Sequence, residues 1–234
     1  MANSSLFWRC LSTIMALVCL LGWTTPLRAD ETEEALWTAL GTGEAVALIR
    51  HALAPGTGDP TGFKLDDCAT QRNLSEEGRR QARQIGNAFR DNGITSAQVW
   101  SSRWCRCLET AQLLELGPVQ PLPSLDSFFS QRERGTAQTA ALREFLSQPY
   151  EGPTRVLVTH QVNITALTGI MPGSGEMVVV QPTSDGDMRV MGQLEPGVIP
   201  GDWRDPVTSG EWFQTVWSIM TRIVDPRGNR DRLK

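Results

Sequence analysis

Apolar runs that end in polar residues are the clearest pattern along this chain. The apolar residues 45–49 lead without a charge into Arg50 and His51. A second run of the same form, residues 155–159, leads into His160, and the chain contains only 2 histidines. Short apolar runs are typical of strands buried on both faces. Because ligands bind beyond the carboxyl ends of such strands, both histidines are predicted at the functional edge of an α/β sheet.

Helical spacing separates these strands. Ser75 followed by two acidic residues is typical of a helix start, and Asn92-Gly93 is a stop signal. Helices are predicted at residues 32–40, 75–91, 102–115, 137–146 and 163–168. Strands are predicted at 45–49, 97–101, 155–159, 175–183 and 188–194, with a hairpin turn at 184–187 and an irregular segment at 118–129.

Two further segments carry candidate ligand-binding groups. The Gly- and Pro-rich loop 54–67 is of a length at which loops are often functional, and Thr57 and its backbone amides could face a ligand. Arg106 lies in the first turn of a predicted helix, where free N–H groups already favour an anion. An arginine at that place is suited to clamp a phosphate.

The N-terminal residues 1–29 have the form of an export signal. Arg9 precedes an apolar run at residues 11–23, and Ala29 is the expected cleavage site. An uncleaved membrane anchor is the alternative, because Leu27 is larger than the usual residue three positions before the cut. The sequence therefore predicts a periplasmic or secreted protein whose domain covers residues 30–195 and whose C-terminal extension covers 196–234.

Composition excludes one large class of partner. Apolar residues make up 40% and charged residues 21% of the 234 residues, which is ordinary for one globular domain. Without Arg9 and Arg28, the 22 basic residues become 20 against 26 acidic residues, a net charge of −6. Such a surface does not hold nucleic acid by bulk charge, so any phosphate site must be local.

Three cysteines lie outside the signal, at positions 68, 105 and 107. In an oxidising compartment Cys68 is expected to pair with Cys105 or Cys107, because a bridge between the last two would close a very tight loop. A metal site is not expected, since neither histidine is near these cysteines in sequence.

The extension carries an unusual share of tryptophan. Trp212, Val216, Ile219, Met220 and Ile223 recur at helical spacing, with Trp203 and Trp217 nearby. An amphipathic helix packed on the domain is the default interpretation. A contact of this helix with an envelope or membrane surface is the alternative.

Four motifs together resemble one family. In order they are Arg50-His51 after a strand, Leu74-Ser-x-x-Gly-x-x-Gln-Ala opening a helix, Ser102-x-x-x-Arg-x-x-Glu-Thr-Ala, and Val158-Thr-His160. This pattern is similar to that of the histidine phosphatase superfamily, which has the phosphoglycerate mutase-like fold. The resemblance extends from about Val46 to Val180. It implies a three-layer α/β/α sandwich on a mostly parallel sheet.

The resemblance also implies roles for single residues. His51 would be the nucleophile of a phosphohistidine intermediate, and Arg50, Arg106 and His160 would surround the phosphate. Neither a metal nor another cofactor is implied, and the partner would be a small phosphorylated substrate. The implied activity is that of a metal-independent phosphomonoester hydrolase.

The proton donor for the leaving group has three candidates in the sequence. The family usually supplies a carboxylate, and Asp126, just after Leu125, fits its place best, with Glu133 and Asp66 as further candidates. Gln161 after His160 departs from the His-Asp branch and disfavours a phytase-like member. Two alternatives stay open: a phospho-ligand binding module without turnover, and a protein phosphohistidine phosphatase.

Overall fold

The structure, a computed structural model, describes residues 29–196. Its contacts divide the chain into two compact units, Met1–Ala35 and Leu36–Lys234. The described part of the first unit, residues 29–35, is the beginning of a helix. The second unit contains the sheet and the candidate site.

Helices and strands alternate along most of the described residues. The helices are α1 Ala29–Gly41, α2 Glu76–Asp91, α3 Cys105–Leu113, α4 Gly135–Ser147 and α5 Gln161–Thr168. The strands are β1 Val46–Arg50, β2 Gln98–Ser101, β3 Val119–Pro121, β4 Arg155–Thr159, β5 Met177–Pro182 and β6 Met188–Leu194. Short 3₁₀ turns lie at Cys68–Thr70, Pro123–Leu125 and Arg132–Arg134.

The strands of the described residues form one six-stranded sheet in the order β3-β2-β4-β1-β5-β6. The first four of these run parallel, whereas β5 pairs antiparallel with β1 and with β6. In the register, Arg50 lies opposite Thr159. The carboxyl ends of β1 and β4 therefore meet at one edge, and each is followed at once by a histidine.

Helices cover both faces of the sheet, because the strand residues that point to either face are apolar. On one face, Ile49 and Val158 pack in the core with residues of α1 beyond Leu36 and with residues of α2 and α3. On the other face, Leu48 and Leu157 pack with residues of α4 and α5. The fold is thus α/β with a helical layer on each side of a mostly parallel sheet, as the resemblance implied.

One strand was not predicted from the sequence. Residues 119–121 were expected to be irregular, but they form β3, which pairs parallel with β2 at the sheet edge. The strand has three residues, of which Gln120 and Pro121 are exposed. So short an exposed segment has no period, and proline is tolerated only because the strand is at an edge. The other predicted strands, including the β5–β6 hairpin, are confirmed within a few residues.

Several sequence predictions lie outside the described residues. These are the export signal, apart from Ala29 itself, and the tryptophan-rich extension from residue 197 onward, including its predicted helix. The export signal, the domain boundaries and the envelope contact therefore stay predictions. Within residues 29–196, no helix is both long and apolar enough to cross a membrane.

Candidate active site

The two adjacent strand ends bring the two histidines together. The backbone N–H of His51 donates to the Thr159 carbonyl at 2.9 Å, which continues the pairing of β1 and β4 beyond the strands. The rings of His51 and His160 lie with centroids 5.5 Å apart. Both side chains are buried, so both face the interior of a site and not bulk water.

His51 is a neutral imidazole, and its own loop forms a hydrogen bond with only one of the two ring nitrogens. Its Nδ1 lies 2.8 Å from the carbonyl oxygen of Ala52. Because a carbonyl only accepts, Nδ1 carries the proton and Nε2 is left with its lone pair. Burial, followed by the charge of Arg106, lowers the pKa of His51 to about 3. The ring therefore stays uncharged at neutral pH, with its one proton on Nδ1.

The motif residues of the sequence fix the loop that follows His51. Thr110 Oγ1 accepts from the backbone N–H of Ala52 at 3.0 Å, and Gln81 Oε1 accepts from that of Leu53 at 3.0 Å. A Cβ at Gly78 would lie 2.1 Å from the carbonyl oxygen of Leu53, so only glycine permits this approach of α2. The motifs that resemble the family thus hold the backbone beside the predicted nucleophile.

His160 is held differently, through both of its nitrogens. Its Nε2 lies 2.8 Å from Ser102 Oγ, and its Nδ1 lies 3.4 Å from Arg106 Nη2. A guanidinium only donates, so Nδ1 accepts and Nε2 donates to the serine. Burial and the neighbouring His51 hold the pKa of His160 well below its ordinary value. His160 is therefore a neutral donor and acceptor built into the wall of the site.

Arg106 lies in the first turn of α3, as predicted, and its side chain is buried. Its two terminal nitrogens bind the Asp59 carboxylate, and its Nε has no hydrogen-bond partner among the described residues. Arg50, the last residue of β1, donates to the Pro172 carbonyl at 2.9 Å, and its buried Nε likewise has no partner in the described chain. Such unpaired donors are the groups that a bound anion would satisfy.

A cavity of about 460 Å³ joins these groups. Arg50, His51, Arg106, His160 and the predicted Thr57 all line it. The loop 54–67 forms one wall, and Phe63, Trp104 and Phe129 add aromatic surface. The arrangement is a cationic pocket, with one unprotonated imidazole nitrogen that is free to attack.

A comparison of the sequence with known families gives a match over part of the chain. The model of the histidine phosphatase superfamily (branch 1) matches residues 46–129. Residues 46–129 belong to the histidine phosphatase superfamily. The match includes Arg50, His51 and Arg106, whereas His160 lies beyond it and is joined to them by the pairing of β4 with β1. No curated protein sequence matches the chain significantly.

The chain is also similar to several solved structures. The protein histidine phosphatase SixA complexed with tungstate is 19% identical, with 65% of this chain and 97% of that chain covered and a TM-score of 0.46. A phosphoserine phosphatase mutant from Entamoeba histolytica, in complex with phosphoserine, is 15% identical, with coverages of 64% and 95% and a TM-score of 0.44. Phosphoglycerate mutase from Plasmodium falciparum is 15% identical, with coverages of 68% and 94% and a TM-score of 0.44.

The proton donor predicted from the sequence, Asp126, lies away from the cavity. Asp126 is buried, and its oxygens accept from the backbone N–H of Arg103 at 2.9 Å and from Arg103 Nε at 2.8 Å. Its Oδ1 also accepts from Ser102 Oγ at 3.4 Å. Asp126 does not line the cavity, nor do the exposed Glu133 and Asp66. This placement connects Asp126 to His160 through Ser102 and does not favour its role as a proton donor, which stays a prediction.

Two charged residues that line the cavity were not singled out from the sequence. Arg72 lines the cavity, and its guanidinium is anchored to the carbonyls of Ala54 and Gly58. Asp59 lies in the same wall and binds Arg106. Asp59 follows a glycine and precedes a proline, which reads as an ordinary turn, and no periodicity marks Arg72. Only the folding of loop 54–67 over the strand ends reveals them.

The cysteines of the domain border the site. The structure joins Cys68 to Cys105, with Cα atoms 5.7 Å apart, and leaves Cys107 as a buried free thiol. Of the two pairings expected from the sequence, the structure thus has the one with Cys105. A bridge across this loop would contribute on the order of 3 to 4 kcal/mol through the unfolded state. Burial raises the pKa of Cys107 to about 12, so its thiol stays protonated beside His160.

Metal ligands do not cluster in the described part of this domain. Among residues 29–196, no three His, Cys, Asp or Glu side chains are grouped as a metal site requires.

Proposed function

We propose that this protein is a phosphomonoester hydrolase that transfers the phosphoryl group to Nε2 of His51 and then to water. The observation that carries the proposal is the state of His51. Its Nδ1–H is engaged by the Ala52 carbonyl, its ring is kept neutral by burial, and the ring lines a cationic cavity. A neutral imidazole can attack phosphorus and split one difficult displacement into two easier ones.

The charges around the cavity suit the transition state of phosphoryl transfer. Three guanidinium groups, from Arg50, Arg72 and Arg106, line the same cavity as the two histidines. In such a transfer, negative charge lies on the equatorial oxygens of phosphorus, and preorganised donors stabilise it. Burial lowers the pKa of Arg50, and the nearby charge of Glu176 raises it by a smaller amount. The group remains a cation at neutral pH. The protein's own side chains supply positive charge at the reacting group, and we propose that no metal is required.

The first test is hydrolysis of para-nitrophenyl phosphate by the purified protein in the presence of EDTA. We expect turnover with EDTA, loss of turnover in His51→Ala, and a phosphoryl group bound to His51 after rapid quenching. Arg80→Ala serves as a control, because this arginine is exposed and pairs only with Glu77 on the surface of α2 in the described contacts.

Other outcomes identify the alternatives. A folded protein that binds vanadate but hydrolyses no phosphate ester would be a phospho-ligand binding module. Turnover that EDTA abolishes and added divalent metal restores would contradict the metal-independent mechanism. Turnover of phosphohistidine peptides with no hydrolysis of small esters would favour the protein phosphohistidine phosphatase.

A further inference from the structure

One carboxylate lines the cavity without a role in the proposed phosphoryl transfer to His51. Among the described residues that line the cavity, Asp59 is the only acid. Its side chain is 9% exposed. Its Oδ1 lies 2.7 Å from Arg106 Nη1, and its Oδ2 lies 3.1 Å from Arg106 Nη2 and 3.0 Å from Trp104 Nε1. The backbone N–H of Arg72 donates to Oδ1 at 3.1 Å, so the carboxylate is fixed against the cavity wall.

Arg106 must then serve two anions when a phosphate ester binds. In the free protein, burial alone would raise the pKa of Asp59, but the hydrogen bonds and charge of Arg106 hold it below its ordinary value. The guanidinium of Arg72 adds to the positive charge. A phosphate dianion bound to the Arg106 guanidinium brings negative charge next to Asp59. It also competes for the N–H groups of Arg106 that donate to Asp59 in the free protein. Both effects favour the protonated carboxyl in the complex.

We propose that Asp59 is the proton donor to the leaving oxygen, which makes phosphomonoesters of alcohols the substrate class. The proposal rests on the proposed phosphohistidine mechanism. In the first step the bond from His51 Nε2 to phosphorus forms and the bond from phosphorus to the ester oxygen breaks. The carboxyl proton of Asp59 moves to that oxygen, and a neutral alcohol leaves. Asp59 is then a carboxylate beside Arg106, the state that the free structure shows.

The second step restores the proton. Water attacks phosphorus, the bond from phosphorus to His51 breaks, and one proton of the water moves to the Asp59 carboxylate. Hydrogen phosphate leaves, and the imidazole is neutral again. One residue thus acts as acid and then as base, and no other reactant is needed.

The wall around Asp59 suggests the probes. Phe63, Trp104 and Phe129 line the cavity beside it, so aryl esters fit its walls. Phenyl phosphate and para-nitrophenyl phosphate differ by one nitro group. Nitrophenolate leaves readily without a proton, whereas phenolate needs one. A general acid is therefore expected to matter more for phenyl phosphate than for the nitrophenyl ester.

The experiment measures kcat/KM of the wild-type protein and of Asp59→Asn on both esters. This ratio reports the steps up to the departure of the alcohol, so the later role of Asp59 toward water does not enter it. Since general acids contribute about 10²-fold to 10⁴-fold, we expect a loss of about 10²-fold on phenyl phosphate and of less than about tenfold on para-nitrophenyl phosphate. Asp59→Glu, which keeps a carboxyl group, is expected to recover part of the difference.

Two further variants serve as controls. Asp91→Asn removes an exposed aspartate at the end of α2 and is expected to leave both ratios unchanged. Asp126→Asn tests the donor predicted from the sequence. If Asp126→Asn shows the selective loss on phenyl phosphate and Asp59→Asn does not, the assignment to Asp59 is wrong.

The remaining outcomes also decide the matter. An equal loss of Asp59→Asn on both esters would show that Asp59 only positions Arg106. Unchanged or higher activity on both would show that Asp59 is a counter-ion that the substrate displaces from Arg106. Either result overturns the assignment. If Asp59→Asn does not fold, a larger loss of the folded Asp59→Glu on phenyl phosphate than on para-nitrophenyl phosphate supports it, and an equal loss on both esters overturns it. If the wild-type protein hydrolyses neither ester, the proposed function fails, and this assignment fails with it.

Discussion

The ends of β1 and β4 are alike in sequence, but the histidines that follow them differ in their hydrogen-bond partners. Each strand is a short apolar run, each is buried, and each is followed by a buried histidine. His51 has one nitrogen bonded to its own neighbour and one left toward the cavity. His160 has both nitrogens engaged, by Ser102 and by Arg106. The same local pattern thus provides the proposed nucleophile in one place and a fixed hydrogen-bonding group in the other.

This difference teaches that the role of a histidine is set by what its second nitrogen contacts. The tautomer of each ring follows from its neighbours, because a carbonyl only accepts and a guanidinium only donates. The carbonyl of Ala52 comes from the loop that Thr110 and Gln81 hold. The partners of His160 come from the end of β2 and the start of α3. The two helices α2 and α3 and their motifs therefore create the asymmetry.

The sharpest test of the asymmetry is to remove each histidine in turn. His51→Ala is expected to lower kcat/KM on the order of 10⁶-fold, the loss typical of a missing nucleophile. His160→Ala is expected to cost about 10²-fold to 10³-fold, as for one lost transition-state donor. Rapid quenching should detect phosphoprotein in His160→Ala and none in His51→Ala. Phosphoprotein in His51→Ala would reverse the two assignments.

Arg106 contacts His160 and is the next largest expected effect. Arg106→Ala should lower kcat/KM by about 10²-fold to 10³-fold, because it removes charge stabilisation at the phosphate. It also leaves the Asp59 carboxylate buried without its ion-pair partner, and breaking such a pair costs about 3 to 5 kcal/mol of stability. Arg106→Ala combined with Asp59→Asn should recover stability in urea denaturation but not activity. Recovery of both would mean that Arg106 serves the fold alone.

The free energy of unfolding is expected to decrease as pH falls, and both histidines are expected to contribute to this decrease. Burial lowers the pKa of His51 to about 3 and that of His160 well below its ordinary 6.5. The unfolded chain takes up protons below about pH 6.5 and the folded one does not, so the free energy of unfolding decreases as pH falls through this range. Each histidine contributes a slope of about 1.4 kcal/mol per pH unit.

The measurement is denaturation by urea between pH 7 and pH 5. His51→Asn and His160→Asn should each show a shallower decrease of the free energy of unfolding than the wild-type protein, although only the first abolishes catalysis. A decrease as steep as that of the wild-type protein in either variant would show that the histidine is already protonated in the fold.

The smallest expected effect comes from Ser102. Ser102→Ala removes the acceptor of His160 Nε2 and leaves the contacts of His51 in place. A hydrogen bond of this kind is worth about 1 kcal/mol, so we expect kcat to fall by severalfold to about tenfold while phosphoprotein still forms. Ser147→Ala, on the exposed end of α4, is the control. A loss as large as that of His51→Ala would contradict the division of roles.

The sequence by itself determined the strands that carry the site and the residues at their ends. Apolar runs and helical spacing are local patterns, since they depend on neighbours a few positions apart. They predicted β1, β4, α2 and the hairpin β5–β6, and they placed both histidines at one sheet edge. The family resemblance implied that Arg50 and Arg106 join them around a phosphate. The extra strand β3 was missed because three exposed residues carry no period.

The tertiary structure alone decided how these residues divide the chemistry. Asp59 and Arg106 are 47 residues apart, and Ser102 and His160 are 58 apart. No local pattern encodes such contacts, because they depend on how loop 54–67 and the end of β2 pack over the sheet edge. For the same reason the sequence did not reveal that a carboxylate, that of Asp59, lines the cavity. The types of group in the site follow from the sequence, and their partners follow from packing between distant segments.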